Sequence, residues 1–213
     1  MSPDPLHGLS ACALPLGNAW LALRERPPRA ALRALRARYR ELTEQGEPLL
    51  VCARHHRASD GWLLPCLLAA PGAFLLHPRR RPWIVADPRS RFAGRLAPLW
   101  HRLGRVISVR QGAGLFAHIE AALGIQSKLA GGEPVLLFPA GDADDDEDEP
   151  YSYLVGRTLE SMPATRVLCV RASRGALDHR VVAPTTKHSG LRAVRELALA
   201  VRDALRELDR AHS

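Results

Sequence analysis

From residue 28 to residue 43 apolar positions recur every three or four residues: Leu32, Leu35, Tyr39 and Leu42 share one side, with Arg29, Arg33, Arg36 and Arg40 as a stripe beside them. The pattern predicts a basic amphipathic helix. Its apolar side rests either among lipid acyl chains, with the guanidinium groups at phosphates, or on the protein's own core. Short apolar runs of strand length follow at 49–53, 73–77, 83–86, 105–109, 134–138, 166–170 and 180–183. Helical spacing marks 90–103, 115–130 and 191–208; in the last, Leu191, Val194, Leu197, Val201, Leu205 and Leu208 define one buried face. Strands alternating with helices predict an α/β fold, a single domain with a mixed, largely parallel sheet flanked by helices. Residues 1–46 read as an N-terminal amphipathic, helical segment and 47–213 as the main domain, with no internal repeat.

Composition narrows the setting. In 213 residues, 46% hydrophobic side chains supply one core. The longest uncharged stretches, 6–23 and 61–76, are broken by Pro15, Pro65 and Pro71, so neither offers the roughly 20 apolar residues of a spanning helix. The four cysteines, Cys12, Cys52, Cys66 and Cys169, stand far apart and three lie in apolar runs, which predicts buried thiols rather than a metal site or a disulfide framework. Leu9-Ser10-Ala11-Cys12 looks locally like a lipoprotein cleavage box, but Asp4 stands before it and no Lys or Arg does, which argues against one.

The net charge of +8 points to an anionic partner: nucleic acid, an acidic membrane or a phosphorylated small molecule. Aromatic residues are only 5% and no stacking cluster accompanies the arginines, which disfavours nucleic acid. The exception to the positive charge is Asp142, Asp144, Asp145, Asp146, Glu147, Asp148 and Glu149, closed by Pro150. So dense a run of one sign repels itself and predicts a solvated loop; it lacks the glycine and alternating spacing of a calcium loop.

The chemistry gathers after the first strand. Beyond 49–53 comes Arg54-His55-His56-Arg57-Ala58-Ser59-Asp60, leading into a helix, and ligand sites of α/β sheets collect outside the carboxyl ends of strands. An imidazole takes a proton from a hydroxyl as it attacks a carbonyl, and a carboxylate fixes its tautomer and steadies the imidazolium. His55 and Asp60, with four residues between them, can meet across a strand-to-helix turn. Gly104 to Arg110 places an arginine at the end of another strand, and Phe138-Pro139-Ala140-Gly141 forms a turn after a third. Arginine and the free N–H groups of such a turn suit an anionic substrate or a developing oxyanion. His56 does not make a zinc set with them, since adjacent strand residues point to opposite faces and no second His or Cys cluster follows.

Over about 47–175 these blocks resemble the lysophospholipid and glycerol-phosphate acyltransferases. His55 and Asp60 match that family's HxxxxD block; Gly104, Ile107 and Arg110 its second; Phe138, Pro139 and Gly141 its FPxG block; Val167 to Val170 approximates a fourth. The resemblance implies that 47–213 is an acyltransferase domain of glycerolipid-acyltransferase type. It further implies His55 as general base, Asp60 as its orienting partner, and Arg57, Gly104, Ile107, Arg110, Phe138, Pro139 and Gly141 around the substrate. The acyl donor would be acyl-CoA or an acyl carrier protein, with no metal or tightly bound cofactor, and the acceptor a lyso-lipid or hydroxy-lipid. The seat would be peripheral, on the cytoplasmic face of the inner membrane, against an anionic surface.

Four positions, in three places, depart from the family pattern. Arg57 stands where serine is frequent, Ala140 replaces a usual glutamate, and Asp142-Ala143 replace a common threonine and arginine. Acidic groups within about 10 Å of a bound phosphate would repel it, with Arg54, Arg57 and Arg110 as the offset. An acceptor with a hydroxyl but no exposed phosphate monoester therefore fits nearly as well. A degenerate relative that binds lipid or acyl carrier without turnover stays open as the alternative.

Overall fold

The computed structural model describes residues 27–54, 60–86, 105–109, 114–139, 150–173 and 175–210. In chain order the elements are α1 (Arg29–Glu44), β1 (Leu49–Ala53), α2 (Asp60–Leu68), α3 (Pro71–Leu76), a 3-10 turn at Pro78–Arg80, β2 (Trp83–Ala86), β3 (Val106–Ser108), α4 (Gly114–Ala130), β4 (Val135–Leu137), α5 (Pro150–Ser161), β5 (Arg166–Ser173), β6 (Ala176–Val182) and α6 (Gly190–Arg210). The strands form one sheet in the order β3-β2-β4-β1-β5-β6, with every neighbour parallel except β6, which runs antiparallel to β5. The predicted α/β class with a mixed, largely parallel sheet is thus observed. Five carboxyl ends open on one edge of the sheet.

Alternation along the strands sorts the core into two layers. Leu50 and Cys52 of β1, Val135 and Leu137 of β4, and Val167 and Cys169 of β5 face α4, α5 and α6. Leu49, Val51 and Ala53, with Leu136 and Leu168, face α1, α2 and α3. With helices over both faces, all five residues of β1 are buried, so its sequence is a continuous apolar run rather than an alternating one.

The apolar side of α1 is spent on this core: Leu35, Tyr39 and Leu42 are at most 2% exposed and pack with the strands. Of its arginine stripe, Arg36 turns away from solvent. Its Nη2 donates to the Cys66 carbonyl at 2.9 Å and its Nε to that of Leu67 at 3.2 Å, satisfying acceptors that the end of α2 leaves unpaired. Replacing Arg36 with Gln is expected to cost about 1–2 kcal/mol in urea unfolding, since charge-assisted bonds to carbonyls are lost. Arg33→Gln, one turn away and exposed, should cost nothing measurable.

Several segments differ from their sequence reading. The apolar run 73–77 is helical, not extended: Pro71 stands at the first helical position of α3, where its fixed φ starts a helix, and a run this short carries no decisive period. The strand expected at 180–183 is β6, which begins at Ala176 and pairs with β5 after Gly175, whose φ of +79° suits only glycine comfortably. Leu191 lies outside the buried face of α6, 79% exposed in its first turn, while Val194, Leu197, Val201 and Leu205 are buried as expected. The sequence reading passed over α5, which buries Leu154, Val155 and Leu159. The expected helix at 90–103 and the acidic loop lie outside the described residues. No helix among the described residues is long and apolar enough to cross a membrane.

Cys52, Cys66 and Cys169 are free and buried. Cys52 and Cys169 are register partners on adjacent strands, and burial pushes the Cys52 thiol well up and that of Cys169 up to about 12. Thiolate is the reactive form, so neither should be alkylated in the native protein at neutral pH, and both should react once it is unfolded. Mass spectrometry of their peptides reads this directly; labelling without unfolding would show that β1 and β5 open. Because the unfolded chain ionises these thiols near pH 9 and the folded chain does not, their burial also makes stability fall as pH climbs from about 9 toward 12.

Candidate functional site

The carboxyl edge of the sheet collects the chemistry-bearing blocks. β1 ends at Ala53, and the next helix, α2, begins at Asp60. His55 and Arg57 belong to the link between them and lie outside the described residues, as do Gly104, Arg110, Ala140 and Gly141. Asp60 is therefore the first residue of its helix, a position the helix dipole favours for a carboxylate. β4, which leads into Phe138 and Pro139, is the parallel neighbour of β1, with Cys52 opposite Leu137. The HxxxxD and FPxG blocks thus leave adjacent strands on one edge.

Phe138 and Pro139 are both buried, and Phe138, 4% exposed, packs into the layer of α1, α2 and α3. Ile107 sits in β3 on the opposite face. It packs against the core there, and its Cγ2 would lie 3.5 Å from a Cβ built on Gly124 of α4. These side chains anchor the strands from which the blocks project. β3 stands three strand spacings from β1, about 14 Å, so a substrate touching both ends would have to be extended.

The other end of β3 is pinned. Arg105 adopts a left-handed φ of 54°, rare for a side chain with a Cβ. Its guanidinium donates to the carbonyls of Pro78 at 2.6 Å and Arg81 at 3.0 Å, pairs with Glu133, and lies 4.7 Å from the centre of the Trp83 ring. Trp83 Nε1 in turn donates to Glu133 at 3.0 Å, and Lys128 Nζ stands 4.1 Å from the same ring. Burial pulls the Arg105 pKa down, and Glu133 opposes that pull. The cluster lies at the amino edge, away from the candidate chemistry, and holds the strand that carries the second block.

At the carboxyl edge the structure shows an ion-pair node absent from the sequence reading. Asp209, in the last turn of α6, pairs through Oδ2 with Arg54 and through Oδ1 with Arg171 Nε of β5 at 2.8 Å. Arg54, read from sequence as a counter-charge for substrate, is thus engaged with a carboxylate of its own chain. The signal lay in periodicity: Arg54 and Arg171 continue the alternation of Cys52 and Cys169 toward the α6 side, and Asp209 follows one turn after Leu205.

The four described histidines stand apart, with His77 capping the end of α3. His118 of α4 is buried, His179 of β6 has its pKa lowered chiefly by burial, and His188 stands 3.4 Å from Glu196. Among the described residues no group of three or more His, Cys, Asp or Glu is placed to hold a metal ion. What the described part of this edge holds is the ends of the adjacent strands β1 and β4, the apolar layer beneath them, and the ion pairs of Arg54 and Arg171 with Asp209. The chain matches no family model, no curated protein and no solved structure.

Proposed function

We propose that this chain is an O-acyltransferase that moves a fatty acyl group from an acyl thioester to a hydroxyl of a lyso-lipid or related acceptor. The observation that carries the reading is the frame of the HxxxxD block: the histidine comes after a fully buried central parallel strand, and the aspartate opens the next helix. The strand on one side of the block and the buried residues Leu64 to Leu68 of the helix on the other belong to the core, and rigid support is what a general base and its orienting carboxylate need. The finer description of the fold as glycerolipid-acyltransferase-like belongs to the same proposal.

In this mechanism His55 accepts the proton of the acceptor hydroxyl as its oxygen attacks the thioester carbonyl. Asp60 holds the imidazole in the tautomer that leaves the accepting nitrogen free. The tetrahedral oxyanion is met by N–H donors of the turn at 138–141. Collapse breaks the carbon–sulfur bond, and the departing thiolate takes the proton from the imidazolium, so no acyl-enzyme forms. Acyl-CoA and acyl carrier protein are both chemically competent donors. Arg57 and Arg110 are assigned to the acceptor side, with Ile107, Phe138 and Pro139 as the support beneath the blocks; Gly104, next to Arg105 in the chain, is given no role at this edge. The seat is peripheral, on the cytoplasmic face of the inner membrane.

The purified protein, offered labelled acyl-CoA and acyl carrier protein with a panel of lyso-lipids and hydroxy-lipids, should yield a labelled ester. A folded protein that binds lipid but forms no product with any pair would replace this reading with a non-catalytic lipid-binding relative. That second reading is favoured by Ala140 and by the acidic run that begins at Asp142.

A further inference from the structure

Three arginines of α1 are left over by the fold. Arg29, Arg33 and Arg40 are exposed, and their guanidinium groups hold no hydrogen bond or ion pair among the described residues. The acids of the same helix are engaged elsewhere, Glu41 with Arg38 at 2.6 Å and Glu44 with Arg80 at 2.9 Å. At 100° per residue the three arginines fall within about 40° of one another, and the helical rise spreads them over about 16 Å. They therefore form a straight row. To one side of the row stand exposed alanines, Ala30, Ala34 and Ala37, interspersed with the engaged Glu41 and Glu44.

We infer that this row docks α1 lengthwise on an anionic lipid surface, an inference that rests on the proposed lipid acceptor and names the face by which the protein would approach it. Protein partners are held by a buried apolar or aromatic anchor ringed by polar groups, and this ridge has none. Arginines also grip nucleic-acid phosphates and guanine edges, so duplex DNA is the competing surface in the test below. A straight row of guanidinium groups without partners among the described residues suits mobile headgroups, which can move to each of them. Since Leu35, Tyr39 and Leu42 are buried in the core, α1 has no apolar side to insert, and the attachment is purely electrostatic. A short link, 45–48, turns α1 into β1, so the helix runs back along the sheet and its Arg29 end points toward the carboxyl edge.

The test is sedimentation of the full chain with vesicles of phosphatidylcholine, with and without phosphatidylglycerol, at low and high salt. The wild type should bind only the anionic vesicles and lose them in high salt as screening shortens the reach of its charges. The triple variant Arg29→Gln, Arg33→Gln, Arg40→Gln should unfold at the wild-type temperature and bind about a hundredfold more weakly, with single variants each losing several-fold. Unchanged binding by the triple variant overturns the inference. So does binding to phosphatidylcholine alone that is lost in Phe116→Ser with Leu123→Ser, because Phe116, Ile119 and Leu123 form an exposed apolar stripe on α4, on the other face of the sheet. Tighter binding to duplex DNA than to anionic vesicles at equal salt overturns it too. Acyl transfer is measured separately on a detergent-dispersed acceptor: the triple variant should keep it there, whereas loss of turnover in the wild type would remove the proposed reaction and leave the vesicle result standing.

Discussion

Replacing His55 with alanine is expected to abolish acyl transfer, lowering the rate by at least about a thousandfold, within the range that a positioned general base supplies. The fold should survive, because β1 is bonded to both β4 and β5 and its five residues are buried whichever side chain stands at position 55. Far-UV circular dichroism and the thermal midpoint should match the wild type. Asp60→Asn is expected to cost much of the rate as well, since an amide in place of the carboxylate no longer holds the productive tautomer or steadies the imidazolium. Full activity in His55→Ala would remove the histidine as base. A loss of folding in place of a loss of rate would instead make the turn structural.

Gly156→Ala should be the most damaging single methyl in the described chain. Gly156 lies in α5 where that helix crosses α6, and a Cβ built there falls 2.7 Å from the carbonyl carbon of Val194 and 2.9 Å from its Cγ1. Backbone cannot rotate aside as a side-chain tip can, so the helices must part, loosening the core cluster that Leu197 and Val201 share with Leu154 and Val155. A cost of about 2–3 kcal/mol is expected, the upper range for overpacking a core. For a chain of this size that lowers the thermal midpoint by about 5–10 °C. Gly72→Ala in α3 is the control: a Cβ there meets nothing within 4 Å, so alanine's better helix propensity should leave stability equal or slightly higher. An unchanged midpoint in Gly156→Ala would mean that α5 and α6 stand further apart in solution.

The success and failure of the sequence reading come from how local each signal is. The strands β1, β2 and β4 were legible because a run buried on both faces is apolar at every position and short. The helices α1, α4 and α6 were legible because their period spans four turns or more. The run that became α3 failed because six residues contain less than two turns, and Pro71, a turn signal in isolation, was the start of a helix. The start of α5 was hidden by the acidic run before it, whose charge outweighs the short apolar period of Leu154, Val155 and Leu159.

At the candidate site, the residue types were visible before the structure and their neighbours were not. HxxxxD and FPxG are contiguous patterns, so the chain alone displays them. That they leave adjacent parallel strands depends on the order β4-β1, which is set by pairing between residues more than 80 positions apart. The fate of each arginine was equally non-local. Arg29, Arg33, Arg36 and Arg40 look alike in sequence, yet Arg36 closes the end of α2 while the other three remain free among the described residues.

By itself the sequence determined what local chemistry dictates: which segments are apolar, at what period, and where a histidine and an aspartate stand with four residues between them. Only the tertiary structure decided which apolar faces are consumed by the core and which charges are consumed by partners. Burial and ion pairing are settled by whatever arrives from distant parts of the chain, as Asp209 does at Arg54 and α2 does at Arg36. A helix that its own period leaves open between bilayer and core was assigned to the core by three buried side chains, and what it offers outward is the remainder.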